Sequence, residues 1–139
     1  MAKCNCFHVL FLILASLFFS SSMLWAGDDG QFTGTWSANG TRNILKLGNE
    51  NSAATFTVSG HVNLDQPVGG ETDFWSRCIG LSDSDSGMQA RCVWRSLSGL
   101  EIYISLHSPR FAQGGHVTGE IVGGSANLQD INGSLSFDW

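Results

Sequence analysis

Leu81–Trp94, LSDSDSGMQARCVW, is the stretch on which the fold turns. Asp-x-Asp-x-Gly opens many calcium loops, and the same residue types also cap tight β-hairpins. An EF-hand-type loop needs oxygen ligands at its positions 1, 3, 5 and 12 and glycine at position 6. Counted from Asp83, position 5 is Gly87, position 6 is Met88 and position 12 is Trp94, so the calcium pattern fails. A hairpin with its turn centred on Asp85 places Cys78 directly opposite Cys92, Trp75 opposite Arg95 and Ile79 opposite Arg91. Directly opposed strand residues have Cα atoms roughly 4.5–5.5 Å apart, within the span of a disulfide. Such a bridge closes a loop of about 15 residues, worth on the order of 3 kcal/mol in the chain-entropy picture. Arg77, Arg91 and Arg95 share one face, which is therefore the wet one, with Trp75 expected beneath Arg95 or Arg77 as an exposed cation–π pair. Phe74, Ser76, Cys78, Ala90, Cys92 and Trp94 face inward.

The residues around this hairpin repeat the pattern. In Ala54–Leu64, ATFTVSGHVNL, the residues Ala54, Phe56, Val58, Val62 and Leu64 alternate with Thr55, Thr57, Ser59, His61 and Asn63. A period of two with one polar side means a strand packed on one face and solvated on the other. Gly60 interrupts the apolar face and marks a bulge or a bend. Leu100, Ile102, Ile104 and Leu106 alternate with Glu101, Tyr103, Ser105 and His107. Further strands are expected over 32–37, 42–47, 73–81, 88–95, 116–122 and 133–139, separated by Gly/Asx/Ser turns. Gln66–Gly70 and Ser108–Gly115 read as loops, the natural rims of any pocket. The fold class is all-β: one antiparallel up-and-down β-barrel of about eight strands over residues 27–139, in which the aromatic last strand pairs back to the Phe32–Trp36 strand and removes both edges.

Residues 1–26 read as a signal peptide. Lys3 gives a basic start, Val9–Phe19 is apolar apart from Ser16, and Leu24-Trp25-Ala26 precedes the polar Gly27-Asp28-Asp29. The apolar run falls short of the ~20 residues of a membrane span, so no stable membrane insertion is expected once the segment is removed. The expected location is exported, periplasmic or extracellular, where Cys78 and Cys92 would be oxidised. Twelve acidic residues against seven basic ones, a net charge of −5 with no basic cluster, argue against nucleic acid as a partner.

Catalytic constellations are not visible. His61, His107 and His116 fall on wet faces or loop edges, Glu101 and Glu120 are single outward carboxylates, and no nucleophile elbow or His-x-x-x-His zinc spacing occurs. No metal set and no cofactor is expected. Gly123-Gly124-Ser125 is followed by neither a helix pattern nor a lysine, so it reads as a tight turn rather than a phosphate loop.

Two segments resemble a known group. Arg91–Leu106, RCVWRSLSGLEIYISL, and Gly115–Trp139, GHVTGEIVGGSANLQDINGSLSFDW, resemble small exported bacterial proteins with allene oxide cyclase-like, calycin-like barrels. The shared pattern is an Arg-Cys-x-Trp strand, a Gly turn, a further strand, a Gly-Gly turn and a final aromatic strand. Gly123–Leu128, GGSANL, stands where that pattern has Gly-Gly-Thr-Gly and an aromatic, and no catalytic residue is carried over. Phe32–Trp36, FTGTW, also resembles the Gly-x-Trp start of lipocalin-like and avidin-like barrels. The expectation is a non-catalytic exported binding protein that takes a small apolar molecule at the barrel mouth or contacts an envelope protein. Trp36, Phe56, Trp94, Tyr103 and Phe111 are the candidate ligand-binding residues. The alternatives are an isomerase/cyclase-type enzyme working in the barrel mouth and a protein-directed inhibitor or envelope structural protein presenting Phe111 on its loop.

Overall fold

The computed structural model describes residues 30–109 and 115–138. Residues 1–26, expected to be a signal peptide, and Phe111 and Trp139 lie outside the described residues. Seven strands follow one another as an antiparallel meander: β1 Gly34–Leu47, β2 Asn51–Val68, β3 Glu71–Asp83, β4 Gly87–Ser96, β5 Glu101–Ser108, β6 His116–Gly124 and β7 Gly133–Asp138. A 3₁₀ turn at Ala126–Leu128 is the one helical element among the described residues. The sheet curls into a half-barrel.

The alternation expected from the sequence sets the two faces. Ala54, Phe56, Val62 and Leu64 of β2, Phe74 and Cys78 of β3, Met88, Ala90 and Cys92 of β4, Ile102, Ile104 and Leu106 of β5, and Val117 and Ile121 of β6 are buried on the concave side. Phe74, Ile102, Ile104 and Val117 are the most deeply buried. Ser76, Ser82, Ser96 and Ser108 are also buried, and their hydroxyls are engaged: Ser96 accepts from the Leu100 N–H, Ser108 donates to the His116 carbonyl, and Ser82 accepts from Arg42.

The hairpin register holds throughout β3 and β4, with Cys78 opposite Cys92, Trp75 opposite Arg95 and Asp83 opposite Gly87. The disulfide is formed, with Cα atoms 4.1 Å apart. At the tip, the Asp83 carboxylate accepts the backbone N–H groups of Asp85 (2.8 Å) and Ser86 (3.3 Å). This is an Asx-type turn cap that satisfies donors the hairpin ladder leaves open. Trp75 lies on the exposed convex face and meets the His61 ring edge-on at 5.2 Å, while Arg95 reaches the opposite way to Glu101 on β5.

Three features depart from the sequence-based expectation. Residues 32–37 and 42–47 do not form two strands. Asn39-Gly40-Thr41, which has the letters of a turn, continues through β1 and pairs residue by residue with Ser59, Val58 and Thr57. Gly60 carries no bulge, because the β1–β2 and β2–β3 registers run through it unbroken. Its role is close approach: a Cβ there would stand 2.1 Å from the Ser37 carbonyl oxygen and 2.6 Å from the Ala38 Cβ. The register shifts fall instead between Asn63 and Val68 and beside Val122, where they help the sheet to bend.

The third departure follows from the first. With β1 continuous the meander has seven strands, so β1 and β7 run in the same direction, and a hairpin-type antiparallel closure is impossible. Among the described residues β1 and β7 form no ladder. They meet through side chains: the Trp36 and Phe137 rings touch at 4.7 Å in an edge-to-face arrangement. The row of directly opposed residues through Ser136, next to Phe137, runs by Thr118, His107, Gln89, Leu81 and Thr55 to Asn43, eight positions beyond Thr35, the neighbour of Trp36. The half-barrel thus carries the stagger that a tilted barrel sheet accumulates around its circumference.

Candidate functional site

The concave face does not fill itself. An open hollow of about 1930 Å³ runs along it, out through the seam between β1 and β7, and round to Ser105, His107 and Glu120 on the outer side. Its inner wall is built from the alternate positions of the strands. Trp36 of β1 and Phe137 of β7 form the seam, and Leu135, two residues before Phe137, shares its face. Trp94 of β4 is half-buried and tilted against Phe74, with ring centroids 6.3 Å apart. Phe56 is buried deeper, with its ring over Gly80. At the end where β2 turns into β3, Leu100 and Leu128 converge beneath Gly69.

Of the candidate ligand residues, the structure gathers Trp36, Phe56 and Trp94 on this one wall. Tyr103 is placed on the convex face. Its hydroxyl donates to Glu101 Oε2 at 2.9 Å, and Glu101 also accepts from Arg95 Nε at 2.7 Å. The Arg95 hydrogen bonds hold the Glu101 carboxyl below its ordinary range, with the Tyr103 hydroxyl helping. The hydrogen bond to that carboxylate in turn raises Tyr103 above the ordinary tyrosine range. Phe111 lies outside the described residues.

Leu128 and Ile131 escaped sequence reasoning. They sit in the irregular segment between β6 and β7, where neither a period of two nor a period of 3.6 marks which side chain turns in. The weak signal was the spacing of two aliphatic residues within an otherwise polar stretch, Asn127–Asn132.

The outer face mixes exposed hydrophobic side chains such as Trp75, Ile79 and Leu81 with polar groups that are partly paired. His116 Nδ1 lies 2.8 Å from Asp138, and Asn63 donates to Asp73 at 2.8 Å. Among the described residues no three His, Cys, Asp or Glu side chains gather as a metal site, and no helix is long and apolar enough to cross a membrane.

No protein-family model matches the chain, and neither a curated protein nor a solved structure matches it. The site must be argued from its own chemistry. That chemistry is apolar and aromatic on the inner wall, at Trp36, Phe56, Trp94, Leu135 and Phe137, with polar residues such as Gln66, Thr118 and Ser136 at its margins.

Proposed function

We propose that the protein is an exported, non-catalytic binding protein that takes a small apolar molecule into the concave face of the half-barrel. One observation carries this: Trp36 and Phe137 meet where, among the described residues, β1 and β7 form no ladder, and beside them lies a hollow whose inner wall carries Phe56, Trp94 and Leu135. Apolar ligand sites are concave and largely preformed, with an apolar, aromatic wall of the kind that Trp36, Phe56 and Trp94 make here. Because among the described residues β1 and β7 meet through side chains such as Trp36 and Phe137 rather than through a hydrogen-bonded ladder, a ligand can part them without breaking backbone pairs. The Cys78–Cys92 bridge supports export, since a disulfide of this kind persists in oxidising compartments.

The test is titration of the purified protein with a neutral fluorescent naphthylamine probe. Saturable uptake by the wild type is expected, weakened at least about five-fold, or roughly 1 kcal/mol, in Trp36→Ala. Tyr103→Ala on the convex face should bind as the wild type does. Absence of saturable uptake, or equal loss in both variants, would sink the proposal.

A further inference from the structure

β1 is 14 residues long and pairs with β2 on one side. Because of the eight-residue stagger at the seam, β7 ends at Asp138, one residue past Phe137 and so close to the level of Ser37. The other side of β1 from Asn39 to Leu47 therefore has no strand beside it among the described residues. This half of β1 is exposed on both faces, with Ile44 58%, Leu45 65% and Leu47 49% accessible. Its register with β2 is unbroken, and it contains no proline. Natural sheets usually blunt such an edge with proline, a bulge, inward charges or a covering segment, because an open edge is a template for another strand. Here two charges, Arg42 and Lys46, share the face of Trp36 and are the only such guard on the edge, and where they would fall in a pairing decides which partner fits.

We infer that the Asn39–Leu47 edge of β1 pairs with the same edge of a second copy of this chain, in an antiparallel two-fold arrangement centred on Asn43. A two-fold axis perpendicular to a sheet sets one residue against its own copy, and directly opposed residues share a face. Centring on Arg42 would set it against itself, and centring on Ile44 would set Arg42 against Lys46. Centring on Leu45 would leave only Asn43–Leu47 paired, and centring on Thr41 would run the strand into the Trp36–Phe137 seam. With Asn43 on the axis all nine residues pair: Thr41 with Leu45, Asn39 with Leu47, Arg42 with Ile44 and Gly40 with Lys46. The like charges are kept apart, the Arg42 stem covers Ile44, and the β-branched Thr41 packs on Leu45, the kind of cross-strand pair that stabilises sheets.

The test has three arms on the purified protein. Sedimentation from micromolar to submillimolar concentration should show a dimer for the wild type. The Leu45→Lys/Leu47→Lys double variant, altered only at exposed positions, should sediment as a monomer with an unchanged melting temperature. Asn43→Cys under mild oxidation should give a covalent dimer, because a residue on the axis meets its own copy within disulfide reach. Ser136→Cys on β7 should not. A wild type that stays monomeric overturns the inference, as does a dimer that survives the double lysine substitution. Cross-linking through Ser136→Cys in place of Asn43→Cys would move the interface to β7 and overturn it equally. Should the lysine variant fail to fold, the cysteine pair still decides.

Discussion

Reduction of the Cys78–Cys92 bridge leaves every atom of the native core in place except for two added hydrogens, so it isolates the cross-link itself. The two cysteines are 14 positions apart and directly opposed in the β3–β4 ladder. For a loop of about 15 residues the chain-entropy relation gives a loss near 10 cal/mol/K, or about 3 kcal/mol at room temperature. The ladder around the bridge is intact and the half-cystines are buried, so the thiols should occupy the same sites and the native state should persist. A domain of this size loses roughly 4–8 °C of melting temperature per kcal/mol, so the reduced protein should melt about 12–24 °C below the oxidised one. Mass spectrometry of the intact protein establishes the oxidation state, and circular dichroism with and without a phosphine reductant gives the two melting curves. Two titratable thiols before any reductant is added would refute the bridge. Confirmed reduction with a shift of only a degree or two would refute the entropic account instead. It would mean that the Asp83-capped turn already holds the hairpin together in the unfolded chain.

Gly60→Val places a side chain against the Ser37 carbonyl, which is backbone and cannot swing aside, and should cost at least roughly 1–3 kcal/mol in urea unfolding. Asp83→Ala removes the acceptor for two N–H groups at the hairpin tip, with an expected loss of about 1 kcal/mol and no change in the disulfide. The Arg95–Glu101 contact should show in the acid limb of a pH–stability profile. With the folded carboxyl lowered, its contribution is whole above the ordinary carboxyl range and is lost as pH falls through the lowered value, so Arg95→Met should flatten that limb. Tyr103 has the opposite sign. Its folded value is raised, so its contribution is present below the ordinary tyrosine range and lost as pH climbs through the raised value; Tyr103→Phe should differ from the wild type at neutral pH and converge with it in strong alkali.

Strand interiors were legible because one face is buried: from Ala54 to Leu64, in the β3–β4 pair and from Leu100 to Leu106, each apolar position assigned from a period of two is on the concave side or borders it. The disulfide was legible for a related reason, since a short polar turn leaves few registers and only one sets Cys78 against Cys92. β1 was misread because the burial signal is missing there. From Thr41 to Leu47 both faces are wet, so no alternation outweighs the turn-like letters Asn-Gly-Thr. What carries Gly40 through the strand is proximity rather than propensity: a Cβ would come within 2.5 Å of the Thr57 carbonyl oxygen, so glycine is what lets β1 lie close on β2. The count of strands depended on that one residue, and with it the direction of the last strand and the closure of the barrel. The hollow was legible only in part, since Trp36, Phe56 and Trp94 lie on patterned strands whereas Leu128 and Ile131 come from a segment without a period.

The odd number of strands links the two proposals physically. An even meander could close with the same antiparallel ladder that joins its other neighbours, leaving neither a seam nor an edge. With seven strands among the described residues the first and last run in the same direction, and the stagger brings Phe137 to the level of Trp36. β1 is thereby divided in use. Its first half faces the hollow at the Trp36–Phe137 contact, and its second half has, among the described residues, no strand on its outer side. A strand paired on its outer side would hold the second half fixed and stiffen Trp36 four residues upstream of Gly40. Dimer formation and probe uptake should therefore be coupled through β1. If they are, the lysine variant that abolishes the dimer will also change the affinity for the naphthylamine probe, although neither Leu45 nor Leu47 borders the hollow. By linkage, saturating probe must then shift the dimerisation constant of the wild type by the same factor. Equal probe affinity in monomer and dimer would show that the two halves of β1 act independently.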